Sequence, residues 1–280
     1  MEHWPHKAFL AGKPWGAWSL VSLSLSVLSG IIVALQFDPS NPFLTTTALD
    51  ALVPFGAFFR SVHFYASQAF FILLIIHFIQ AVDATDTYPY GYYLRLTATL
   101  PTALLLLFTG YILRADSTGS SAGMIAESIV AAIPWAGDLL NKLLFSVSEH
   151  GMQRVYVHHL ISFDLLLLVL AWDHLRRYRV KITDHLLLIF LTFGFCSLIP
   201  APMEPDKLGV SYIAGPWFFL GLQELLRYFP PLFAGLFLPI SFLIALCCLK
   251  KNSPWFRPAA WYAVIWLLIY AVLTIIAELR

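Results

Sequence analysis

The chain has 280 residues, of which 59% are hydrophobic and only 12% are charged. Its mean hydropathy of +0.76 excludes a soluble globular protein and a disordered chain, and it predicts a membrane protein. The 17 Lys and Arg residues nearly balance the 16 Asp and Glu residues, for a net charge of +1. This balance argues against nucleic acid as a partner.

Three cysteines, Cys196, Cys247 and Cys248, lie inside apolar runs, and no CxxC or CxxCH sequence occurs. The sequence therefore predicts no disulfide framework, no zinc site and no covalent c-type haem site. Near the N-terminus, Lys7 and Lys13 precede an apolar stretch without a small-residue cleavage site. We expect this stretch to be a retained membrane span.

A transmembrane helix requires roughly 20 apolar residues, and seven segments qualify as spans. The connection between the third and fourth segments has apolar residues at helical spacing, interrupted by Pro134 and Gly137, which predicts interfacial helices. The connection between the fifth and sixth is long and rich in Pro and aromatic residues, as functional loops are. We name the segments A to G in chain order: 15–36, 58–82, 95–114, 155–177, 184–201, 232–249 and 259–278.

Lysine and arginine placement predicts the orientation of the segments. Cytoplasmic loops carry an excess of these residues, and here they concentrate near the N-terminus and in the D–E and F–G loops. We therefore expect these regions to face the cytoplasm, and the C–D and E–F connections to face the opposite, positive side. The residues are Lys7 and Lys13, then Arg176, Arg177, Arg179 and Lys181, then Lys250, Lys251 and Arg257.

Segments B and D each contain a pair of histidines, and ionisable residues inside a membrane are costly and therefore candidates for function. His63 and His77 are 14 residues apart, and His159 and His174 are 15 apart. At about 100° per residue, each pair shares one helix face at two depths about 21 Å apart. His158 is rotated about 160° from His174, so we expect it only to line the surface.

Antiparallel packing of B and D would bring the histidines level in two pairs, which predicts two bis-histidine sites that each suit a b-type haem. A single such histidine could instead be a hydrogen-bonded core residue. A transporter or assembly scaffold could use intramembrane histidines as a proton relay. The matched spacing on two antiparallel helices favours haem over both alternatives.

Glycines and arginines near these histidines are further haem-site candidates. Gly16 and Gly30 of segment A are 14 residues apart, and a haem plane requires close backbone approach. Arg60 and Arg154 precede His63 and His159, and Arg179 follows His174, so these cations could bind haem propionates. Each glycine could instead mark a helix crossing, and each arginine an interfacial anchor.

The sequences RSVHFYASQAFFILLIIH and RVYVHHLISFDLLLLVLAWDH resemble helices B and D of cytochrome b from the cytochrome bc complexes. AAIPWAGDLLNKLL resembles the surface helices after helix C, and GPWFFLGLQELL resembles the quinol-site loop between E and F. The resemblance runs from about residue 14 onward. The 15-residue spacing and seven helices are more similar to the photosynthetic branch, whose four- and three-helix parts are separate chains. It implies a four-helix haem-binding part, 1–182, fused to a three-helix part, 183–280.

The resemblance implies a function. The family oxidises quinol on the positive side, passes one electron to a Rieske iron–sulfur protein, and sends the other through two haems to a second quinone site. It assigns His63 and His159 to the low-potential haem and His77 and His174 to the high-potential haem. The resemblance further implies that Arg60 and Arg154 bind haem propionates and that Gly110 faces a haem. Two positions depart from the family: Leu96 replaces the other expected glycine of helix C, and Gln80 replaces an expected arginine of helix B.

Two departures from the family concern the quinol site. The Pro-Glu-Trp-Tyr motif falls on Gly215, Pro216, Trp217 and Phe218, so its carboxylate is missing. The Pro-Trp pair after helix C falls on Arg114 and Ala115. Glu224, Asp116 or Glu204 could serve instead as the proton acceptor, or each could be a solvated loop charge.

On the cytoplasmic side, Asp184 matches the aspartate of the family's inner quinone site, with Lys181 and His185 beside it. The photosynthetic branch attaches an additional haem to a cysteine, and Lys13, Pro14 and Trp15 stand in that region. We therefore expect two non-covalent haems rather than three.

The sequence thus predicts a di-haem cytochrome b that transfers electrons across the membrane, with quinone or quinol as substrate. Because the chain has no iron–sulfur or c-type site, we expect a Rieske protein or a multihaem cytochrome c as partner. The resemblance implies a homodimer, and we expect a bacterial cytoplasmic membrane. The alternative is a non-bifurcating haem b anchor that links the quinone pool to a multihaem cytochrome c or a dehydrogenase.

Overall fold

The structure is a computed structural model that describes residues 12–147, 151–205 and 212–280. Every regular element in these ranges is helical, which confirms the predicted all-α fold. Lys7, which contributes to the predicted orientation, lies outside the described residues.

In the part of the chain that the structure describes, five helices are long and apolar enough to cross a membrane. They coincide with segments A, B, C, D and G. A 3-10 helix, Val82–Thr87, prolongs the second of them. Numbered with the shorter helices that lie between them, they are α1 (Trp15–Ala34), α3 (Gly56–Ala81), α4 (Tyr90–Arg114), α7 (Met152–Arg177) and α11 (Phe256–Glu278).

Segments E and F form shorter apolar helices, α8 (Ile182–Leu198) and α10 (Phe233–Cys248). Helix α8 ends earlier than predicted because Ile199 precedes Pro200 and is extended, with φ −122° and ψ 99°. A residue before proline avoids the helical region. Seven apolar helices therefore match the seven predicted segments, but two of them are shorter than a complete span.

Four further helices connect the apolar ones: α2 (Pro42–Leu52), α5 (Ser117–Ala131), α6 (Gly137–Leu144) and α9 (Leu220–Leu225). The Asp116 carboxylate caps α5 by accepting a hydrogen bond from the Gly119 amide at 2.9 Å. Between α5 and α6, Pro134 is followed by Trp135 in the left-handed region at φ 62°. This break confirms the interruption predicted at Pro134 and Gly137.

The chain forms two compact units. The first contains the described residues up to Asp38, Leu44–Leu107 and Leu166–Pro202, and the second contains Pro39–Phe43, Phe108–Leu165 and Met203–Arg280. In the first unit α3 packs against α1 and α8; in the second α11 packs against α9 and α10. The division after residue 182, which the family resemblance implies, stays a prediction.

Helix α1 packs on α3 through small polar side chains. Ser19, Ser22, Ser26 and Ser29 are all buried, and their spacing of three or four residues places them on one face. The Ser19 hydroxyl donates to the Phe70 carbonyl at 3.2 Å. Because small residues allow helices to approach closely in a membrane, this stripe brings the backbone of α1 near the histidines of α3.

Candidate functional site

His77 on α3 and His174 on α7 lie side by side in the first unit. Their imidazole centroids are 5.9 Å apart, and the ring planes are inclined by 52°. The Tyr92 hydroxyl lies 3.4 Å from Nδ1 of His174, and Arg95 pairs with Asp173 at 2.8 Å beside it. The structure therefore brings together the two histidines predicted for the cytoplasmic side.

One ring nitrogen of this pair has no partner among the described residues. Nδ1 of His77 is buried and makes no hydrogen bond. Buried polar atoms in folded proteins nearly always have a hydrogen-bond partner. An exception requires an explanation, such as a group that binds at that place. The His77 side chain is thus consistent with a site for a cofactor.

Three glycines pack against three of the predicted histidines. A Cβ atom at Gly16 would lie 2.8 Å from Cε1 of His77, and one at Gly30 would lie 2.8 Å from Cε1 of His63. In the second unit, a Cβ at Gly110 would lie 3.1 Å from Cε1 of His159. A β-carbon at Gly16 or Gly30 would therefore force the imidazole to move, and one at Gly110 would make a tight contact. All three glycines named from the sequence therefore lie beside histidines.

The Nδ1 atoms of His63 and His159 have oxygen partners. In the first unit, Nδ1–H of His63 donates to the Ser26 carbonyl at 2.8 Å, so that Nε2 carries the lone pair that can bind a metal ion. In the second unit, Nδ1 of His159 lies 2.9 Å from the Thr109 hydroxyl. Metal-binding histidines are commonly oriented by such a bond through their other nitrogen.

The 15-residue spacing in α7 is compensated by a π-turn. Residues His158–Ser162 form one turn of π-helix, closed by a bond from the Phe163 amide to the His158 carbonyl. Such a turn contains one residue more than an α-turn. The interval from His159 to His174 therefore covers about the same rotation as the 14-residue interval from His63 to His77 in α3. The sequence alone did not predict this turn.

The predicted propionate arginines differ in their surroundings. Arg60 is buried and pairs with both carboxylate oxygens of Asp50 at 2.5 and 2.6 Å. It also donates to the carbonyls of Ala201 and Pro202 at 2.6 and 3.3 Å. By contrast, Arg154 and Arg179 are exposed.

The segment that replaces the family's quinol motif is held by two side chains of the second unit. Gln223 accepts from the Gly215 amide at 2.8 Å and donates to the Ile213 carbonyl at 2.7 Å. Tyr270 of α11 donates to the Phe218 carbonyl at 2.7 Å. Pro216 is buried within this segment, while Trp217 is exposed.

Arg114, which stands at the first position of the family's Pro-Trp pair, forms a buried ion pair with Asp116, one residue beyond that pair. The Arg114 guanidinium lies over the Tyr111 ring at 4.9 Å, and Tyr111 packs edge-on against Phe218. Asp116 also accepts from the Glu204 amide at 3.0 Å. The interpretation of Asp116 as a solvated loop charge is therefore wrong, because the carboxylate is buried and fully engaged.

Glu224 is the most buried of the three candidate proton acceptors. One carboxylate oxygen accepts from Arg280 and from the Tyr228 hydroxyl, both at 2.9 Å. The other oxygen is buried without a hydrogen bond among the described residues. Glu224 is therefore not a solvated charge either. Glu204, in contrast, is exposed and accepts from Thr118 at 2.9 Å.

The predicted cytoplasmic quinone residues lie at the start of α8. Ile182–His185 forms a 3-10 turn, and the Asp184 amide donates to the Lys181 carbonyl at 3.1 Å. Lys181 and Asp184 are exposed, and His185 is half-buried. Gln80, which stands where the family has an arginine, donates to the Lys13 carbonyl at 3.2 Å.

Several residues that shape the site carry no recognisable sequence signal. Asp50 and Ser26 contact Arg60 and His63 across 10 and 37 residues of chain. Arg280 reaches Glu224 across 56 residues. Pairs at such separations have no fixed spacing, so only the tertiary structure reveals them.

The comparisons with known proteins identify the family. A family model described as cytochrome b/b6/petB matches residues 10–181, more than half of the chain. The chain belongs to the cytochrome b family. Cytochrome b of Eptatretus burgeri is 25% identical over 292 residues, which cover 87% of this chain and 74% of that protein.

A chain of the solved structure named Hyperthermophilic respiratory Complex III has the same fold, with a TM-score of 0.69 and 20% sequence identity. The match covers 94% of this chain and 83% of that one. These findings confirm the resemblance inferred from the histidine helices. As a cytochrome b of the bc type, this chain is an integral membrane protein of electron transport, and its family binds haem b.

The side chains of this cytochrome b fit a haem group. Gly16 and Gly30 leave no room for a β-carbon beside the imidazoles, and Gly110 leaves little. The partnerless Nδ1 of His77 and the donor Nδ1–H of His63 add two further indications. Imidazole pairs are also an established ligand set for haem iron.

Proposed function

We propose that this cytochrome b is the di-haem electron-transfer subunit of a quinol-oxidising or quinone-reducing bc-type complex. In the proposal, His77 and His174 bind the cytoplasmic-side, high-potential haem, and His63 and His159 bind the positive-side, low-potential haem. The packing of a glycine against His77, His63 and His159 carries the proposal. When bound, haem iron supplies reversible one-electron chemistry.

The residues of the chain would orient and insulate these groups. The Ser26 carbonyl fixes the ring of His63, and the Thr109 hydroxyl approaches that of His159. The apolar helices would exclude water around the groups, which contributes to the redox potentials. We further propose that Arg60, Arg154 and Arg179 bind propionates, with Arg60 exchanging part of its pairing with Asp50.

For the positive-side quinol site, we propose Pro216, Trp217 and Phe218 as wall residues and Glu224 as the proton acceptor. The second oxygen of Glu224 is buried and accepts no hydrogen bond among the described residues, although it lies 3.9 Å from Nε of Arg227. Both oxygens of Asp116 already accept hydrogen bonds, and Glu204 is exposed. For the cytoplasmic quinone site, we propose Asp184 as the proton donor and acceptor, with Lys181 and His185 beside it. The exposure of Asp184 would give it access to protons from water.

One observation favours the second candidate, a non-bifurcating haem b anchor that conducts both electrons across the membrane. One oxygen of Glu224 already accepts from Arg280 and from the Tyr228 hydroxyl, both at 2.9 Å. The motif glutamate of the family is missing from Gly215, Pro216, Trp217 and Phe218. Stigmatellin-type and antimycin-type inhibitor sensitivity would indicate bifurcated flow, and resistance to the former would indicate linear flow.

The proposed complex has further components. A Rieske protein or a multihaem cytochrome c would accept electrons on the positive side, and the complex would be a homodimer. We place the N-terminus in the cytoplasm, in a bacterial cytoplasmic membrane, on the basis of the lysine and arginine distribution.

The test is the haem content of the purified complex, measured by pyridine haemochrome and a redox-titrated difference spectrum. We expect two b haems with separate potentials. His77→Ala or His174→Ala should remove one and leave the other spectrally intact. His185→Ala, which changes a half-buried histidine outside the proposed ligand set, should retain both. Two haems in either ligand variant would refute the pairing, and no haem in the wild type would refute the di-haem function.

A further inference from the structure

We propose that His158 is a positioning residue that fixes the rotational setting of His159 through the π-turn His158–Ser162. The proposal rests on the di-haem function above, because it concerns how α7 presents one of the proposed axial ligands. It assigns a role to a histidine that the sequence placed at the surface.

The π-turn decides which way His159 points. If residues 158–162 formed a regular α-helix instead, the direction of His159 relative to His174 would change by the rotation of about one residue, roughly 100°. In the structure, His159 faces the Thr109 hydroxyl at 2.9 Å and the backbone of Gly110. A rotation of that size would remove both contacts.

His158 bridges the turn with both of its ring nitrogens. Nδ1 lies 3.1 Å from the Ser162 hydroxyl, at the other end of the turn. Nε2–H donates to the Leu143 carbonyl at 2.8 Å. With Nε2 as the donor, Nδ1 is the acceptor of the Ser162 hydroxyl proton, so the neutral imidazole satisfies both contacts. The structure thus gives two hydrogen bonds to a histidine that the sequence placed at the surface.

The bond from His158 to the Leu143 carbonyl attaches the π-turn to helix α6. Leu143 belongs to the last turn of α6, where backbone carbonyls have no partner within the helix. Arg154 donates to the neighbouring Lys142 carbonyl at 2.9 Å, and a cation is favourable at a helix C-terminus. Arg154 thus anchors the start of α7, while His158 anchors the π-turn itself.

The experiment uses the intact complex and compares three variants of this anchor. His158→Phe keeps a flat ring near Phe163, whose centroid lies 5.7 Å from that of His158, but removes both hydrogen bonds. His158→Gln can retain polar contacts to the same partners. Ser162→Ala removes only the bond within the turn. The control is Ser197→Ala, which removes a serine bond to a backbone carbonyl, 2.8 Å to Phe193, in α8 of the first unit and outside every proposed site.

The measurements are the midpoint potential and the low-spin EPR signal of each haem. We expect His158→Phe to shift both quantities for the His63–His159 haem and to leave the His77–His174 haem unchanged. His158→Gln should lie closer to the wild type, and Ser162→Ala should give a smaller shift of the same sign. The control should shift neither quantity of the His63–His159 haem.

Unchanged potential and EPR signal in both His158→Phe and Ser162→Ala would overturn the positioning role while leaving the di-haem function intact. If His158→Phe does not assemble, Ser162→Ala decides the matter by the same criterion. A wild-type complex without two haems would instead overturn both proposals.

Discussion

At the scale of single residues, the glycines are the most constrained part of the proposed haem sites. A β-carbon would lie 2.8 Å from an imidazole at Gly16 and Gly30, and 3.1 Å from one at Gly110. At the fourth glycine position that the family resemblance implies, this chain has Leu96. Tyr92, on the same helix α4 as Leu96, has its hydroxyl 3.4 Å from Nδ1 of His174 on α7. The His174 side of the cytoplasmic site is therefore built with bulkier residues than the other three.

Replacing Gly30 by Ala should weaken haem binding at the His63 site. The new β-carbon would lie 2.8 Å from the imidazole, and overpacking of this kind costs about 1–3 kcal/mol, roughly a 5- to 150-fold loss in affinity. Haem retention during detergent washing would measure the effect. Gly194→Ala is the matched control, because nothing lies within 4 Å of its β-carbon position. Equal retention in both variants would contradict the prediction.

Replacing Glu224 by Gln tests the proposed proton acceptor. If this carboxylate accepts the quinol proton, quinol oxidation should slow by roughly 10²- to 10⁴-fold, while the haem spectra stay unchanged. Tyr228→Phe is the control, because it removes one hydrogen bond to the carboxylate but keeps the charge. Wild-type turnover in the Gln variant would show that the proton takes another route.

At the scale of helices, the junction between α4 and α5 differs most from the family pattern. Arg114 and Asp116 are both buried and paired. Asp116 in addition caps α5 and accepts from the Glu204 amide, so it joins the C–D connection to the start of the E–F connection. An ion pair that begins at the first Pro-Trp position thus holds two connections together.

Removing one charge of this pair should destabilise the second unit. Asp116→Asn keeps an oxygen for capping but leaves the Arg114 charge buried and uncompensated, which typically costs about 3–5 kcal/mol. The double variant Arg114→Met, Asp116→Asn removes both charges and should recover most of that loss. Thermal unfolding in detergent measures the change. A double variant as unstable as the single one would mean that the ion pair is not the cause.

At the scale of the whole molecule, the seven apolar helices and the charge distribution define one predicted topology. Lysines and arginines cluster in the D–E and F–G loops, which we expect to face the cytoplasm. The A–B, C–D and E–F connections would then face the opposite side. Cysteine labelling can test this once Cys196, Cys247 and Cys248 are replaced by alanine.

A cysteine at Thr183, in the exposed start of α8, should react with an impermeant maleimide only from the cytoplasmic side. A cysteine at the exposed Ser40, in the A–B connection, should react only from the positive side. The two positions serve as controls for each other in intact cells and inverted vesicles. The reverse labelling pattern would invert the proposed orientation.

The sequence by itself determined the apolar helices, the family and the glycines beside the histidines. It could do so because a membrane span needs a long apolar run and because residues 14 or 15 apart return to one helix face, which are local properties of the chain. Pro200 also indicates the early end of α8, because a residue before proline avoids the helical region.

Only the tertiary structure decided the polar partners and the rotation of α7. The burial of Glu224 against Arg280, the pairing of Arg60 with Asp50 and the bond from His158 to Leu143 join residues 56, 10 and 15 positions apart. Such partners depend on how connections return to the helices, and no periodic pattern encodes that return. The π-turn was likewise hidden, because an additional residue in a helix leaves no compositional mark and becomes visible only when the backbone hydrogen bonds are known.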